Sequence, residues 1–182
     1  MNTSLMDHRR GYGLVSRVLH WGMALLVLWQ AVSALLHYFA DDTAVTDFFF
    51  GAHTTIGFLI LVFAVLRGFW GLANLARRPE HSRPIDRLAA FGHLAMYLLL
   101  IAVPLIALIR EYGSGEGFAV FGIQIFPSFQ PEIEWTGDLG GALHGELGWV
   151  LFLLIAVHIL MALVHEFVWK ETRLARMTTG NS

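Results

Sequence analysis

The sequence predicts an all-α membrane protein whose four transmembrane helices form a bundle, with the N- and C-termini both on the cytoplasmic side. Three observations support this fold class. The 182 residues are 56% hydrophobic and only 14% charged, with a mean hydropathy of +0.60. Four apolar stretches each exceed the about 20 residues that a helix needs to cross about 30 Å of hydrocarbon. The basic residues are concentrated near the same ends of these stretches.

The predicted helices belong to one domain spanning 1–182, and they cover approximately residues 16–39, 48–75, 88–109 and 140–169. The first stretch contains His20 and Gln30 and lacks an A-x-A-like cleavage site, so we expect a retained helix instead of a signal peptide. Backbone polar groups in lipid must be satisfied internally, which favours helices. The long segment 110–139 is rich in Gly, Pro and aromatic residues, which predicts an ordered cap.

Basic residues determine the predicted orientation. Of the 12 Lys and Arg residues, all but Arg110 lie near the start of the first helix, around the second connection, or after the fourth helix. By the positive-inside rule these segments are cytoplasmic. Acidic residues predominate in the opposite connections, so the outer face is predicted to be acidic.

Composition also limits the possible cofactors and partners. The chain has no cysteine, which excludes disulfides, thiolate zinc sites, iron–sulfur clusters and covalently attached c-type haem. A net charge of −2 gives no reason to expect nucleic acid as a partner. The chain has nine histidines, and ionisable residues within spans are functional candidates. His8 and His81 lie in basic loops and are predicted to be ordinary surface residues.

Depth in the membrane sorts four histidines into two pairs. His144 and His158 are fourteen residues apart, close to four turns, so they share one face of the fourth helix about 21 Å apart. His53 lies at the outer start of the second helix, and His20 lies near the cytoplasmic end of the first. The predicted pairs are His53 with His144 outside and His20 with His158 toward the cytoplasm. Each is followed four residues later, on the same helix face, by a small residue: Ala24, Gly57, Gly148 and Ala162.

Two histidines on opposite helices suit b-type haem, because imidazole ligates iron directly. With both axial positions filled, such an iron transfers electrons and does not activate O2. Two alternatives remain open: a zinc or copper site, which usually needs three or four close ligands, and structural histidines that hydrogen-bond across helices. Arg67 lies fourteen residues after His53, which suits a propionate of the cytoplasmic haem, or else a snorkelling arginine.

Short segments along nearly the whole chain match a known pattern in order and spacing. They are SRVLHW (16–21), HTTIG (53–57), LR (66–67), GHLAMY (92–97), AVPL (102–105), HGELG (144–148), VH (157–158) and LVHEFVWK (163–170). Together they resemble the bacterial cytochrome b561 family of small di-haem, four-helix membrane cytochromes. The resemblance implies the two ligand pairs given above, two non-covalent b-type haems, and a multi-pass protein of the bacterial inner membrane in contact with lipid.

The resemblance also implies quinone chemistry. One branch is similar to superoxide oxidase, which oxidises periplasmic superoxide to O2 and reduces ubiquinone to ubiquinol. In that branch the position matching His165 lies near the quinone, with Arg17, Ser16 and Trp169 as weaker neighbours. His165 is seven residues, or two turns, after His158. Its alternative role is that of an interfacial residue anchoring the helix end with Trp169.

The leading functional hypothesis is therefore a superoxide:ubiquinone oxidoreductase. The acidic outer face opposes long-range attraction of the superoxide anion, so Arg110, the only outward basic residue, is expected beside the outer haem. The alternative is an electron-transfer module that links the quinone pool to a basic periplasmic redox protein. A purely structural membrane protein is a third possibility, and it predicts no haem absorbance. The sequence predicts neither an oligomeric state nor roles for His37 and His93.

Overall fold

The computed structural model describes residues 4–8, 11–77, 84–171 and 173–180, without the side chains of 84–86. His81, predicted to be a surface residue, lies outside the described residues. The chain consists of α1 (Leu14–Phe39), α2 (Ala44–Phe50), α3 (His53–Ala73), a 3-10 turn (Leu75–Arg77), α4 (Pro84–Gly113), β1 (Phe118–Val120), β2 (Ile123–Phe126), α5 (Glu134–Leu163), a π-helical segment (Val164–Val168) and α6 (Arg173–Thr178).

Within the part of the chain that the structure describes, four segments are long and apolar enough to cross a membrane. Their mean hydropathy rises from 1.6 in the first to 2.7 in the last, and most of their residues are not buried within the protein. Large apolar side chains such as Leu25, Phe69 and Leu72 are exposed, which suits contact with lipid. The all-α architecture with four membrane spans is therefore confirmed. The four segments are Leu14–Phe39, Ala44–Ala73, Arg87–Gly113 and Glu134–Val168.

The second predicted helix, 48–75, is wrong at its start, because two helices occupy this region. Thr43 caps α2 by accepting a 3.1 Å hydrogen bond from the Thr46 amide. The helix ends at Phe50, where the Gly51 amide donates to the Asp47 carbonyl, and α3 begins at His53. Hydropathy did not detect this break, since the residues on both sides are apolar.

The other predicted helices are confirmed, with corrected ends. The helices α1, α4 and α5 begin earlier than predicted, and α4 also ends later, because helical hydrogen bonding continues beyond the stretches chosen by hydropathy. The fourth predicted helix, 140–169, changes from α-helix to π-helix at Val164. The hydrophobic pattern therefore located the spans but not the hydrogen-bonding limits of their helices.

The chain divides into two compact units. One comprises Met1–Leu25, Phe63–Leu98 and Phe152–Ser182, and contains His20 and His158. The other comprises Leu26–Val62 and Leu99–Leu151, and contains His53 and His144. Each unit thus contains one of the predicted histidine pairs. A single domain over 1–182 stays a prediction.

The connection between α4 and α5 contains a short hairpin, and its predicted role as an ordered cap stays a prediction. Strands β1 and β2 form an antiparallel hairpin whose turn contains Phe121 and Gly122, both at positive φ. Gly122 adopts this conformation without the steric cost of a side chain. The hairpin is held by a buried apolar cluster of Leu108, Phe118 and Val120, against which Phe58, Leu61, Ile125 and Phe126 pack.

Candidate functional site

The first predicted pair, His53 and His144, is brought together by α3 and α5. The ring centres are 6.1 Å apart and the ring planes are inclined by 79°. Nδ1 of His53 is 2.8 Å from Oγ of Ser33 on α1, and Nδ1 of His144 donates a 3.1 Å hydrogen bond to the Val103 carbonyl on α4. Both rings therefore use Nδ1 for hydrogen bonding within the protein, which leaves Nε2 for another partner.

The second predicted pair, His20 and His158, has a similar separation. The ring centres are 6.5 Å apart with planes inclined by 67°. Nδ1 of His20 is buried and has no hydrogen-bond partner among the described residues. His93, which had no predicted role, is also close, since its ring centre is 5.1 Å from that of His158. Nδ1 of His93 donates a 2.6 Å hydrogen bond to the Ala89 carbonyl.

Arg67 belongs to the same unit as His20 and His158. Its guanidinium carbon lies 5.4 Å from the centre of the Tyr97 ring, a cation–π distance. The charge of Arg67 is also within electrostatic reach of both histidines of this pair. An anionic group bound beside this pair would therefore find a compensating positive charge. The contact of Arg67 with a propionate stays a prediction.

The small residues after the histidines leave space on the helix face. A Cβ built on Gly148 meets no atom within 4 Å, and one built on Gly57 meets only Nε2 of Gln30 at 3.6 Å. In the unit that contains His53 and His144, a flat group can therefore approach both helix backbones closely.

The donor groups suit a metal that needs only two protein ligands. Among the described residues, His, Cys, Asp and Glu side chains form no group of three that could hold a metal ion. An imidazole nitrogen binds a first-row metal at about 2 Å, which places two rings on opposite sides of one ion with centres about 6 Å apart. The separations of 6.1 and 6.5 Å match this arrangement. A macrocycle would supply the four remaining ligands.

Comparison with known proteins agrees with this geometry. A family model described as prokaryotic cytochrome b561 matches residues 11–180. The chain belongs to this family. It is 33% identical to "Cytochrome b561 homolog 2" of Escherichia coli (strain K12) over 180 residues, covering 94% of this chain and 93% of that protein. It is 31% identical to "Probable superoxide oxidase CybB" of Yersinia pestis over 168 residues, covering 91% and 94%.

Membership of the cytochrome b561 family makes this chain an electron-transfer protein of the membrane, and it implies b-type haem. The residues present fit that group. Each histidine pair has the separation that bis-imidazole ligation requires, and the buried Nδ1 of His20 and the open faces beside Gly57 and Gly148 are compatible with a bound macrocycle. The assignment of each pair to one haem stays a prediction.

His165, predicted to be near the quinone, lies in the π-helical segment Val164–Val168. The residue is only 7% exposed. Its Nδ1 is 2.9 Å from Oε2 of Glu171, which also accepts a 2.6 Å hydrogen bond from Nε of Arg173. Trp169, a predicted neighbour, packs edge-on against the imidazole with ring centres 4.5 Å apart. π-Helical turns are frequent at functional sites, so this segment supports a specialised role for His165.

The other two predicted neighbours, Ser16 and Arg17, lie in the same unit at the start of α1. Ser16 is buried, and its Oγ accepts a 2.9 Å hydrogen bond from Nε1 of Trp70. Nε of Arg17 is buried and has no hydrogen-bond partner among the described residues. The Arg17 guanidinium also lies beside Gly180, where a Cβ would be 2.7 Å from one of its nitrogens.

The described residues of the C-terminal segment, 171 and 173–180, contact His165 at one end and residues at or near the start of α1 at the other. At one end Glu171 and Arg173 form the hydrogen bonds described for His165. At the other end the Met177 carbonyl accepts a 3.0 Å hydrogen bond from Nε1 of Trp21 on α1. A Cβ on Gly11 would meet the Gly180 carbonyl oxygen at only 2.4 Å, so the two backbones pass close together.

Arg110 lies in the last turn of α4 and belongs to the unit that contains His144. A Cβ built on Gly140 of α5 would meet Cδ of Arg110 at 2.6 Å, so its aliphatic chain rests against this helix. Gly140 is four residues before His144, and positions four residues apart share one helix face. The aliphatic part of the Arg110 side chain therefore lies one helical turn along α5 from His144. A place for Arg110 beside the outer haem stays a prediction.

His37, which had no predicted role, lies 3.2 Å from Asp41 through Nδ1 and stacks on Phe50. Sequence reasoning missed Ser33 and Glu171. Two signals in the sequence could have indicated them: Ser33 is a serine within an apolar span, and Glu171 is an acid in a basic tail. Each needs a polar partner in such surroundings.

Proposed function

We propose that this protein is a superoxide:ubiquinone oxidoreductase of the bacterial inner membrane that contains two b-type haems. The observation that supports it most is the presence of two histidine pairs, each with ring centres about 6 Å apart. Two such sites suit a protein that connects a one-electron donor to a two-electron acceptor. The 31% identity to a relative named as a probable superoxide oxidase supports this choice of substrates.

The proposed reaction balances with two superoxide ions for each quinone. Each superoxide loses one electron and becomes O2, and ubiquinone takes up two electrons and two protons to become ubiquinol. When bound, haem supplies the one-electron chemistry. His53 and His144 would hold one haem iron through Nε2, and His20 and His158 would hold the other. With two protein ligands each, these irons would transfer electrons and would not bind O2.

Arg110 attracts superoxide at the outer site in this proposal. The orientation predicted from the basic residues places Arg110 outside, among acidic residues that repel anions. Glu111 is within electrostatic reach of both Arg110 and Glu116. A local positive charge one helical turn from His144 therefore concentrates the substrate where electron transfer occurs.

His165 donates a proton to a quinone carbonyl in this proposal. The carboxylate of Glu171 accepts a hydrogen bond from Nδ1–H of His165, which fixes the ring and leaves Nε2 for the quinone carbonyl. The side chain of Glu171 is partly exposed, which gives a route for protons from the cytoplasmic side. Arg173 fixes the carboxylate through its own hydrogen bond.

The test is superoxide-driven ubiquinone reduction in proteoliposomes. Superoxide is generated enzymatically outside, and ubiquinol is measured by chromatography. We expect ubiquinol formation that superoxide dismutase abolishes and that His158→Ala lacks. Ubiquinol formation that dismutase leaves unchanged, or no formation by a protein with its full haem content, contradicts the proposal.

A second function is favoured by the exposed acidic residues of the α4–α5 connection. Their charge suits docking of a basic periplasmic redox protein. Salt-sensitive electron exchange between quinol and a basic c-type cytochrome, without any reaction with superoxide, would favour this function over the first. These residues are Glu116 and Glu132 in the connection, together with Glu134 and Asp138 at the start of α5.

A further inference from the structure

We propose that Ser33 is a positioning residue for His53: it holds the ring as the Nδ1–H tautomer and lowers the redox potential of the haem bound there. This inference deepens the proposed function, because it rests on haem at the His53–His144 pair. It does not depend on superoxide or quinone as substrates.

The first step of the argument concerns the Ser33 hydroxyl. Ser33 is fully buried within α1, at 0% exposure, so its hydroxyl needs partners inside the protein. Oγ donates to the Gln30 carbonyl at 2.9 Å. A serine hydroxyl has a single hydrogen, so toward His53 it acts as an acceptor.

The second step concerns the proton on His53. Nδ1 lies 2.8 Å from Oγ of Ser33, and because Oγ accepts, Nδ1 carries the hydrogen. A neutral imidazole has one N–H, so the Nε2 lone pair is available. Iron ligation requires this tautomer. The bond also fixes the ring plane, because Ser33 and His53 belong to different helices.

The third step compares the histidines of the two pairs. An acceptor at Nδ1–H increases the basicity of a ligating imidazole. A more basic ligand stabilises ferric over ferrous iron and so lowers the potential. His53 has Ser33 as its acceptor and His144 has the Val103 carbonyl, whereas the buried Nδ1 of His20 has no partner among the described residues. The His53–His144 haem is therefore the one at lower potential.

The experiment is a spectroelectrochemical titration of the purified full-length protein with redox mediators. In Ser33→Ala we expect one of the two midpoint potentials to rise while the other stays at its wild-type value. Ser33→Thr keeps the hydroxyl and is expected to have the wild-type midpoint potential. Ser33→Cys introduces a weaker acceptor, so its potential should lie between those of the wild type and Ser33→Ala. Ser128→Ala, which removes an exposed hydroxyl, is the control and should change neither potential.

A second titration assigns the shift to one pair. His20→Ala is expected to keep only the haem at His53–His144, whose potential should be the lower wild-type value and should rise when Ser33→Ala is added. Two unchanged potentials in Ser33→Ala, an equal shift of both, or a shift of the higher potential alone would overturn the inference. So would wild-type protein without haem at the His53–His144 pair.

The outcome is separable from that of the proposed reaction. A selective shift in Ser33→Ala, in a protein that does not reduce ubiquinone with superoxide, supports the role of Ser33 and refutes the reaction. Normal superoxide-driven ubiquinol formation by the wild type, with unshifted midpoint potentials in Ser33→Ala, supports the reaction and refutes the role of Ser33.

Discussion

Glu171 and His165 form a 2.9 Å hydrogen bond. His165 lies within the π-helical segment, and Glu171 follows the end of that segment. The Glu171 amide also donates a 2.8 Å hydrogen bond to the His165 carbonyl. The imidazole is buried while the carboxylate is partly exposed, so the pair connects a buried group to the protein surface.

For Glu171→Gln we expect quinone reduction to slow by about tenfold to 100-fold, because a neutral amide cannot accept and pass on a proton as a carboxylate can. Haem content should stay at the wild-type level. The measurement is the rate of ubiquinol formation at equal haem concentration. Glu134→Gln, an exposed acid at the start of α5, is the matched control and should keep the wild-type rate. Equal rates in both variants would remove Glu171 from proton delivery.

His158→Ala and His144→Ala should each lose a different haem, since the two residues belong to different pairs. The absorption spectrum of each variant should retain one b haem, and the midpoint potentials of the two survivors should differ. His37→Ala, which removes a histidine paired with Asp41 instead of another histidine, serves as control and should keep both haems. Loss of the same haem from both ligand variants would refute the pairing.

Removal of the Arg110 charge should slow the reaction with superoxide, by roughly tenfold at low ionic strength, because the remaining outer groups are mainly acidic. Arg110→Lys should retain most of the rate, and added salt should weaken the advantage of wild type over Arg110→Ala. Stopped-flow measurement of haem reduction at two salt concentrations gives the rate of each variant and its dependence on salt. A full rate in Arg110→Ala, with no salt dependence, eliminates Arg110 from the mechanism.

Gly113→Ala should destabilise the α4–α5 connection. A Cβ there would lie 1.8 Å from Oγ1 of the buried Thr136, and relieving such a contact costs about 1–3 kcal/mol. Thermal unfolding in detergent should show a lower midpoint. A Cβ on Gly137, in the same region, would meet no atom within 4 Å. The unfolding midpoint of Gly137→Ala should therefore not be lower than that of the wild type. Equal midpoints for the two variants would mean that this contact is easily relieved.

The membrane spans and the histidine pairs were predictable because both depend on local periodicity. Fourteen residues along a helix return a side chain to the same face, so His144 and His158 could be placed from sequence numbers. Arg110 was singled out as the lone outward basic residue. Its contact with α5 at Gly140 came only from the structure.

Other features depend on contacts that no local pattern specifies. Ser33 meets His53 only when α1 and α3 pack together, and Glu171 bonds to His165 where the chain leaves the π-helical segment. The break at Gly51 was hidden because hydropathy continues through the phenylalanines of α2. The histidine pairs could therefore be predicted from the sequence, but the hydrogen-bonding partners of these histidines could not.

The most direct test of the central claim is the haem content of the purified protein. A pyridine haemochrome assay against protein concentration should give two b-type haems per chain, and the oxidised protein should show low-spin signals from two bis-histidine centres. One haem per chain, or none, would contradict the assignment of His20 with His158 and His53 with His144.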